Sequence, residues 1–207
     1  MIADRPGFGA GPLVDRVDFD VDAPLVADLL GDGVDLVGHS YGGIVCLLAA
    51  SQRPESVRSL TLVEPPAFGI AKDTPAVDAF VARATDLWTH GPDEPAPFLA
   101  AFLSLAGSSL DLSEPLSPEL ERGARLLRVE RPPWEAEIPL DALAAAPFPK
   151  LVVSGGHDAA FDAVCDVLEQ RLRAERAVIP GAGHSVQRTG APFNERLEAF
   201  LTSAAAD

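Results

Sequence analysis

Residues 34–43 read VDLVGHSYGG, a short apolar run set directly against a serine flanked by glycines. A serine hydroxyl is a poor nucleophile until a base takes its proton, so what matters is how Ser40 relates to the four histidines of the chain. His39 precedes the serine in the same turn, His90 falls in a helical stretch, and His157 sits beside Asp158 in a loop after a strand pattern. His184, in VIPGAGHSVQR, follows the last strand pattern on a glycine-rich loop that should open at the same sheet edge as Ser40. His184 is therefore expected to be the base.

The base needs a carboxylate to hold its tautomer and to stabilise the imidazolium. Asp158, at the end of LVVSGGHD, completes the chain order Ser, Asp, His and is the preferred acid. Its competing role is that of a turn-forming aspartate after Gly155 and Gly156. Glu64, at the end of VRSLTLVE, is the rival acid, placed after an earlier strand, whereas Asp162 reads more simply as a helix cap.

Gly38-His39-Ser40-Tyr41-Gly42 has the form G-x-S-x-G, a sharp strand-to-helix turn. Gly38, Gly42 and Gly43 are expected to supply the missing Cβ atoms where strand and helix nearly touch. Such a turn pushes the Ser40 hydroxyl out at the carboxyl end of a sheet and lets the backbone N–H of Tyr41 meet an oxyanion.

The elements that must position these residues follow from hydrophobic period. VDLVG, VRSLTLVE (57–64), KLVVSG (150–155) and RAVIPG (176–181) are short, apolar, rich in β-branched residues and ended by Pro or Gly, and predict four buried strands. Leu25, Val26, Leu29 and Leu30 form a helical stripe behind Asp22 as cap, with Pro24 in the first turn. Residues 42–50 predict a second helix. Further helical stripes run through Phe161, Val164, Cys165, Leu168 and Leu172, and through Phe193, Leu197, Phe200 and Leu201. Strands alternating with helices imply an α/β fold with a mostly parallel sheet. The alternation stops between residues 67 and 147, where proline-punctuated helical patterns predict an inserted helical cap. The chain thus divides into a first core part (1–66), the cap (67–147) and a second core part (148–207).

A chain of 207 residues with 47% hydrophobic residues can bury one full core. Its formal charge of -15 argues against nucleic acid as a partner, because no basic stripe attracts phosphates. Cys46 and Cys165 lie in apolar helical stretches without metal-ligand spacing, which predicts buried free thiols and suits a reducing compartment. No stretch reads as a leader or reaches membrane-spanning length, so the expectation is a cytoplasmic chain with no membrane association.

These motifs, in this order, resemble a serine member of the α/β-hydrolase fold family from residue 2 to about the C-terminus. DRPGFG (4–9) is similar to the loop after that family's fourth strand, VGHSYGG to its nucleophile elbow, SGGHD to its acid loop and PGAGH to its histidine loop. The resemblance implies a lid at 67–147, no metal or organic cofactor, and hydrolysis of a small carboxylic ester or related acyl compound. An apolar substrate would suit the Phe- and Leu-bearing cap, although those side chains serve equally well as its own packing. Because the nucleophile position is serine, the resemblance argues against dehalogenases and epoxide hydrolases. Family members usually carry three strands and a helix before the segment that opens this chain, so the expectation is an N-terminally truncated fold with Tyr41 as the one assignable oxyanion donor. The alternatives are a non-catalytic, hydrolase-like fragment that binds a small apolar ligand, and an interaction module using the acidic face. The oligomeric state has no signature in the sequence.

Overall fold

The structure is a computed structural model that describes residues 4–108, 112 and 115–205. Residues 1–3, where the family resemblance begins, lie outside the described residues. Helix α1 (Phe19–Leu29) leads into strand β1 (Val34–His39), helix α2 (Tyr41–Gln52) and strand β2 (Val57–Val63). Helices α3 (Pro75–His90), α4 (Pro95–Ala106), α5 (Pro118–Arg128) and α6 (Leu140–Ala145) follow, and among the described residues no strand interrupts them. The chain then returns through β3 (Lys150–Ser154), α7 (Ala159–Leu172), β4 (Glu175–Val178) and α8 (Ala191–Ala204).

The four strands form one parallel sheet in the order β1-β2-β3-β4. Side chains alternate between its faces as the pleat requires. Leu60, Leu62 and Val152 join the larger core beneath α2, α6 and α7, while Val63, Leu151 and Val153 join Val186, Phe193 and Phe200 around α8. Helix α2 lies deep in the larger core and is apolar all round, with every residue from Gly43 to Ala50 buried.

All four expected strands are present, but only β2 and β3 are buried throughout or nearly so. β1 and β4 are the outer strands, and each has one unpaired side among the described residues. Val37 of β1 is 43% exposed and Val178 of β4 is 48% exposed. The apolar runs therefore reported strand character correctly and overstated burial at the two edges.

Helix α1 differs more. It begins at Phe19, capped by Asp18, whose side chain accepts the Asp20 N–H. Asp22 is not the cap: it is buried inside the helix and accepts a hydrogen bond from Arg5 at 3.1 Å. Pro24 consequently stands within the helix rather than in its first turn. The buried face is Phe19, Ala23 and Ala27 with Leu30 beyond the last turn, whereas Leu25 and Leu29 are exposed. Two alanines let α1 approach α2 closely, and that contact decides which stripe turns inward. Both cysteines are free and buried, as expected.

Several helices start with proline at the first turn, where its missing N–H costs nothing. α5 adds a Ser117 cap to Leu120, acids in its first turn, and Arg125 and Arg128 in its last, which complement the helix dipole.

The inward face of α1 can be tested by paired substitutions. Phe19→Ala should cost about 3–5 kcal/mol in urea denaturation, as removal of a fully buried ring does. Leu25→Ala should stay within about 0.5 kcal/mol of the parent, as an exposed position does.

Candidate active site

The sheet register brings the candidate residues to one edge. His39 of β1 pairs beside Val63 of β2, and Val63 beside Val153 of β3, so the residues after β1, β2 and β3 emerge together at the carboxyl end. The Ser40 N–H donates to Val63 O at 2.9 Å and the Glu64 N–H to Val153 O at 2.9 Å, which ties each residue to the neighbouring strand.

Ser40 has φ 53° and ψ -132°, a backbone conformation that side-chain-bearing residues rarely adopt. The turn tolerates it because the strand and helix meet almost without side chains. A Cβ on Gly38 would stand 2.7 Å from Gly42 O and 2.8 Å from both the Gly43 Cα and the Cys46 Sγ. One on Gly43 would stand 2.9 Å from Pro65. Gly42 faces open space, so the close approach rests on Gly38 and Gly43 and not, as the spacing implied, on Gly42. Tyr41 opens α2, where backbone N–H groups have no acceptor within the helix, and its ring is buried against Phe19 and the Arg5 guanidinium.

The Ser40 Oγ lies 2.9 Å from Nε2 of His184, and Nδ1 of the same ring lies 3.4 Å from Oε2 of Glu64. Glu64 is wholly buried and, like Ser40, has a positive φ, here 50°. Its Oε1 accepts the Gly155 N–H at 2.5 Å. Burial pushes the Glu64 carboxyl up to about 7, against that hydrogen bond and the nearby His157, which pull it down. Burial pushes His184 down to about 4, helped by His157, so its ring is neutral and able to accept a proton at pH 7.

The carboxylate beside His184 is therefore Glu64 and not Asp158. Asp158 caps α7, its side chain accepting the Ala160 N–H at 2.8 Å, and it stands 3.6 Å from Arg83. The chain order that favoured Asp158 carried no information about reach. After β3 come two glycines and His157, and the next side chain, the carboxylate of Asp158, is used to start α7. Asp162, by contrast, is not a cap: it accepts hydrogen bonds from Ser154 and Arg176 at the start of α7.

Two further histidines flank the site. The Nε2 of His39 donates to the backbone oxygen of His184 at 2.9 Å, while Gln187 donates to its Nδ1 at 3.2 Å, so this ring holds the His184 loop. His157 sits on the other side, with Nε2 donating to Ala106 O at 3.0 Å. The His184 N–H donates to Gly107 O at 3.1 Å, and the Phe161 ring packs at a tilt of 50° against the imidazole with ring centres 4.8 Å apart. His157 was passed over as the base and Phe161 read only as part of a helical stripe, and the places of both at the site, like those of Gln187 and Gly107, rest on contacts distant in sequence. Glu64, His157 and His184 offer ligating atoms within 4.8 Å of one another, but their bonds to Ser40, Gly155, Ala106 and each other engage every one of those atoms except Nδ1 of His157.

A cavity of about 1090 Å³ opens over Ser40 and His184. Phe68, Phe80, Trp88, Leu99, Phe102 and Trp134 of the helical segment line one side, and the free edge of β1 lines another.

The alpha/beta hydrolase family model matches residues 2–196, and the chain belongs to that family. It is 32% identical over 141 residues to Lipase LipV of Mycobacterium tuberculosis, a match covering 66% of this chain and 51% of LipV. Over 59 residues it is 39% identical to the pimeloyl-[acyl-carrier protein] methyl ester esterase of Neisseria meningitidis, covering 28% of this chain and 23% of that one. The chain thus matches about half the length of the first relative and about a quarter of the second. In structure it is similar to MenH from S. aureus, with a TM-score of 0.68 at 20% identity, over 98% of this chain and 82% of that one.

The crowding at the turn predicts opposite outcomes for two glycines. Gly38→Ala should destabilise by about 1–3 kcal/mol, because backbone atoms would have to move. Gly42→Ala should be neutral or stabilising by up to about 1 kcal/mol, since alanine favours the helix it enters. Thermal melts of the two variants decide the matter.

Proposed function

We propose that the chain is a serine hydrolase that cleaves a small carboxylic ester or related acyl compound through an acyl-enzyme. The observation that carries this reading is the hydrogen-bonded line from the Ser40 Oγ through both nitrogens of His184 to Glu64. As Ser40 Oγ bonds to the carbonyl carbon, its proton passes to His184 Nε2 and the carbonyl electrons move onto oxygen. The Tyr41 N–H at the head of α2 is the donor assigned to that oxyanion. Collapse expels the alkoxide, which takes the proton from His184, and water then repeats the sequence on the acyl-serine. Glu64 accepts the Nδ1–H and balances the imidazolium. The contact of 3.4 Å is long for the resting state, and the charge that develops on the ring favours a shorter one.

In this reading residues 67–147 are the cap, and their aromatic lining of the cavity favours an apolar acyl or leaving group. The names of the lipase and methyl ester esterase relatives support ester chemistry. The buried thiols fit a reducing, cytoplasmic setting. No helix among the described residues is long and apolar enough to cross a membrane.

A fluorophosphonate probe needs an activated serine and no known substrate. Intact mass should show one adduct that is lost in Ser40→Ala; absence of an adduct in folded parent protein would leave a ligand-binding, non-catalytic hydrolase fold. Among the acids, Glu64→Gln should lower kcat by about 10⁴-fold, as misplacing the histidine tautomer does. Asp158→Asn should change kcat little, because asparagine is also a good cap. The reverse ranking would return the acid role to Asp158.

A further inference from the structure

Glu64 has two oxygens, and His184 uses one. The other, Oε1, lies 3.7 Å from Nδ1 of His157. The Nε2 of that ring faces Ala106 O at 3.0 Å, and because a carbonyl oxygen only accepts, Nε2 must carry a hydrogen. In a neutral ring Nδ1 is then a bare lone pair. It is buried, has no hydrogen-bond partner, and stands opposite a carboxylate oxygen. Two acceptors face to face in a dry site are unfavourable, and a proton between them removes the conflict.

We propose that one proton is held between His157 Nδ1 and Glu64 Oε1, which makes His157 a positioning residue. It fixes the Glu64 carboxylate so that Oε2 faces His184, and it ties that orientation to the end of α4. The same turn of α4 grips both histidines. Ala106 O accepts from His157, Gly107 O accepts from the His184 N–H, and Ser108 Oγ lies 3.2 Å from Ser185 Oγ. Gly107 has φ 69°, and a Cβ there would collide with the His157 ring, so the helix end is seated directly on it.

The surroundings leave the proton few other places to go. The loop after β4 presents His184. From α7 comes Asp162, already joined to Arg176 of β4 at 3.0 Å. Arg83 of α3 goes to Asp158, and α4 presents only neutral backbone. The Phe161 ring closes the remaining side, 5.5 Å from His157 and 4.8 Å from His184. A positive charge on His157 would favour the ionised form of Glu64, which His184 requires, against the burial that opposes it.

The kinetic consequence rests on the hydrolase reading, whereas the proton itself can be observed without it. In His157→Phe the acid limb of the kcat/KM profile should move up by about 1 pH unit, because the buried carboxyl loses its compensating charge. In the same variant kcat should fall about 10-fold with KM unchanged, as loss of a purely orienting contact does. His157→Gln, whose amide donates to Oε1 without a charge, should recover most of kcat while keeping the moved limb. A profile unmoved in both variants overturns the proposal. Should neither fold, 15N NMR of histidine-labelled parent protein near pH 7 still decides. The His157 Nδ1 should show a protonated or strongly hydrogen-bonded shift, and a free lone-pair shift overturns the proposal even if Ser40 labels normally. A bonded Nδ1 in protein that the fluorophosphonate does not label would sink the hydrolase reading alone.

Discussion

A carboxylate removed entirely from water is costly, by several kcal/mol even after relaxation, unless each of its oxygens is engaged. Glu64 is such a group, and much of the carboxyl edge of the sheet is arranged around it. The parallel pairing of β2 with β3 delivers the Gly155 N–H to one oxygen. The loop after β4 delivers His184 to the other. The positive φ at Glu64 turns its side chain across the strand ends instead of along them, a strain of the kind that persists only where its surroundings enforce it.

The second strained residue, Ser40, obeys the same logic one strand away. Its conformation is possible because Gly38 and Gly43 let β1, α2 and the chain after β2 come into backbone contact. The hydroxyl is then presented to a neutral imidazole held by groups on three sides: His39 at its backbone oxygen, Gly107 at its N–H and Phe161 on its ring. The helical segment thus does more than line the cavity. Through the end of α4 it forms part of the frame that fixes the histidines.

Much of the fold was legible because its signals are local. Short apolar runs ended by proline or glycine marked all four strands, and the proline-punctuated stretch between β2 and β3 contained helices as its periodicity required. The misread features were those whose answer lies in a neighbour. Leu25 and Leu29 make as good a stripe as Ala23 and Ala27 on a helical wheel, but the small side chains allow α1 to approach α2, and the leucines face outward. Burial of β1 and β4 depended on sheet order, which hydrophobicity does not encode.

The site divides along the same line. Sequence alone determined that Ser40 stands on a glycine-lined turn between strand and helix and that His184 follows the last strand, because turn chemistry and strand periodicity are properties of adjacent residues. It offered two carboxylates, and only the tertiary structure shows which of them lies beside the imidazole. Asp158 satisfies the motif order, but its oxygen is consumed by the backbone N–H of Ala160, while Glu64 emerges from the strand beside Ser40. The same holds for His157 and for the end of α4. Which side chains share a proton is set by strand register and helix docking, and those arise from contacts that residues far apart in the chain make only once it has folded.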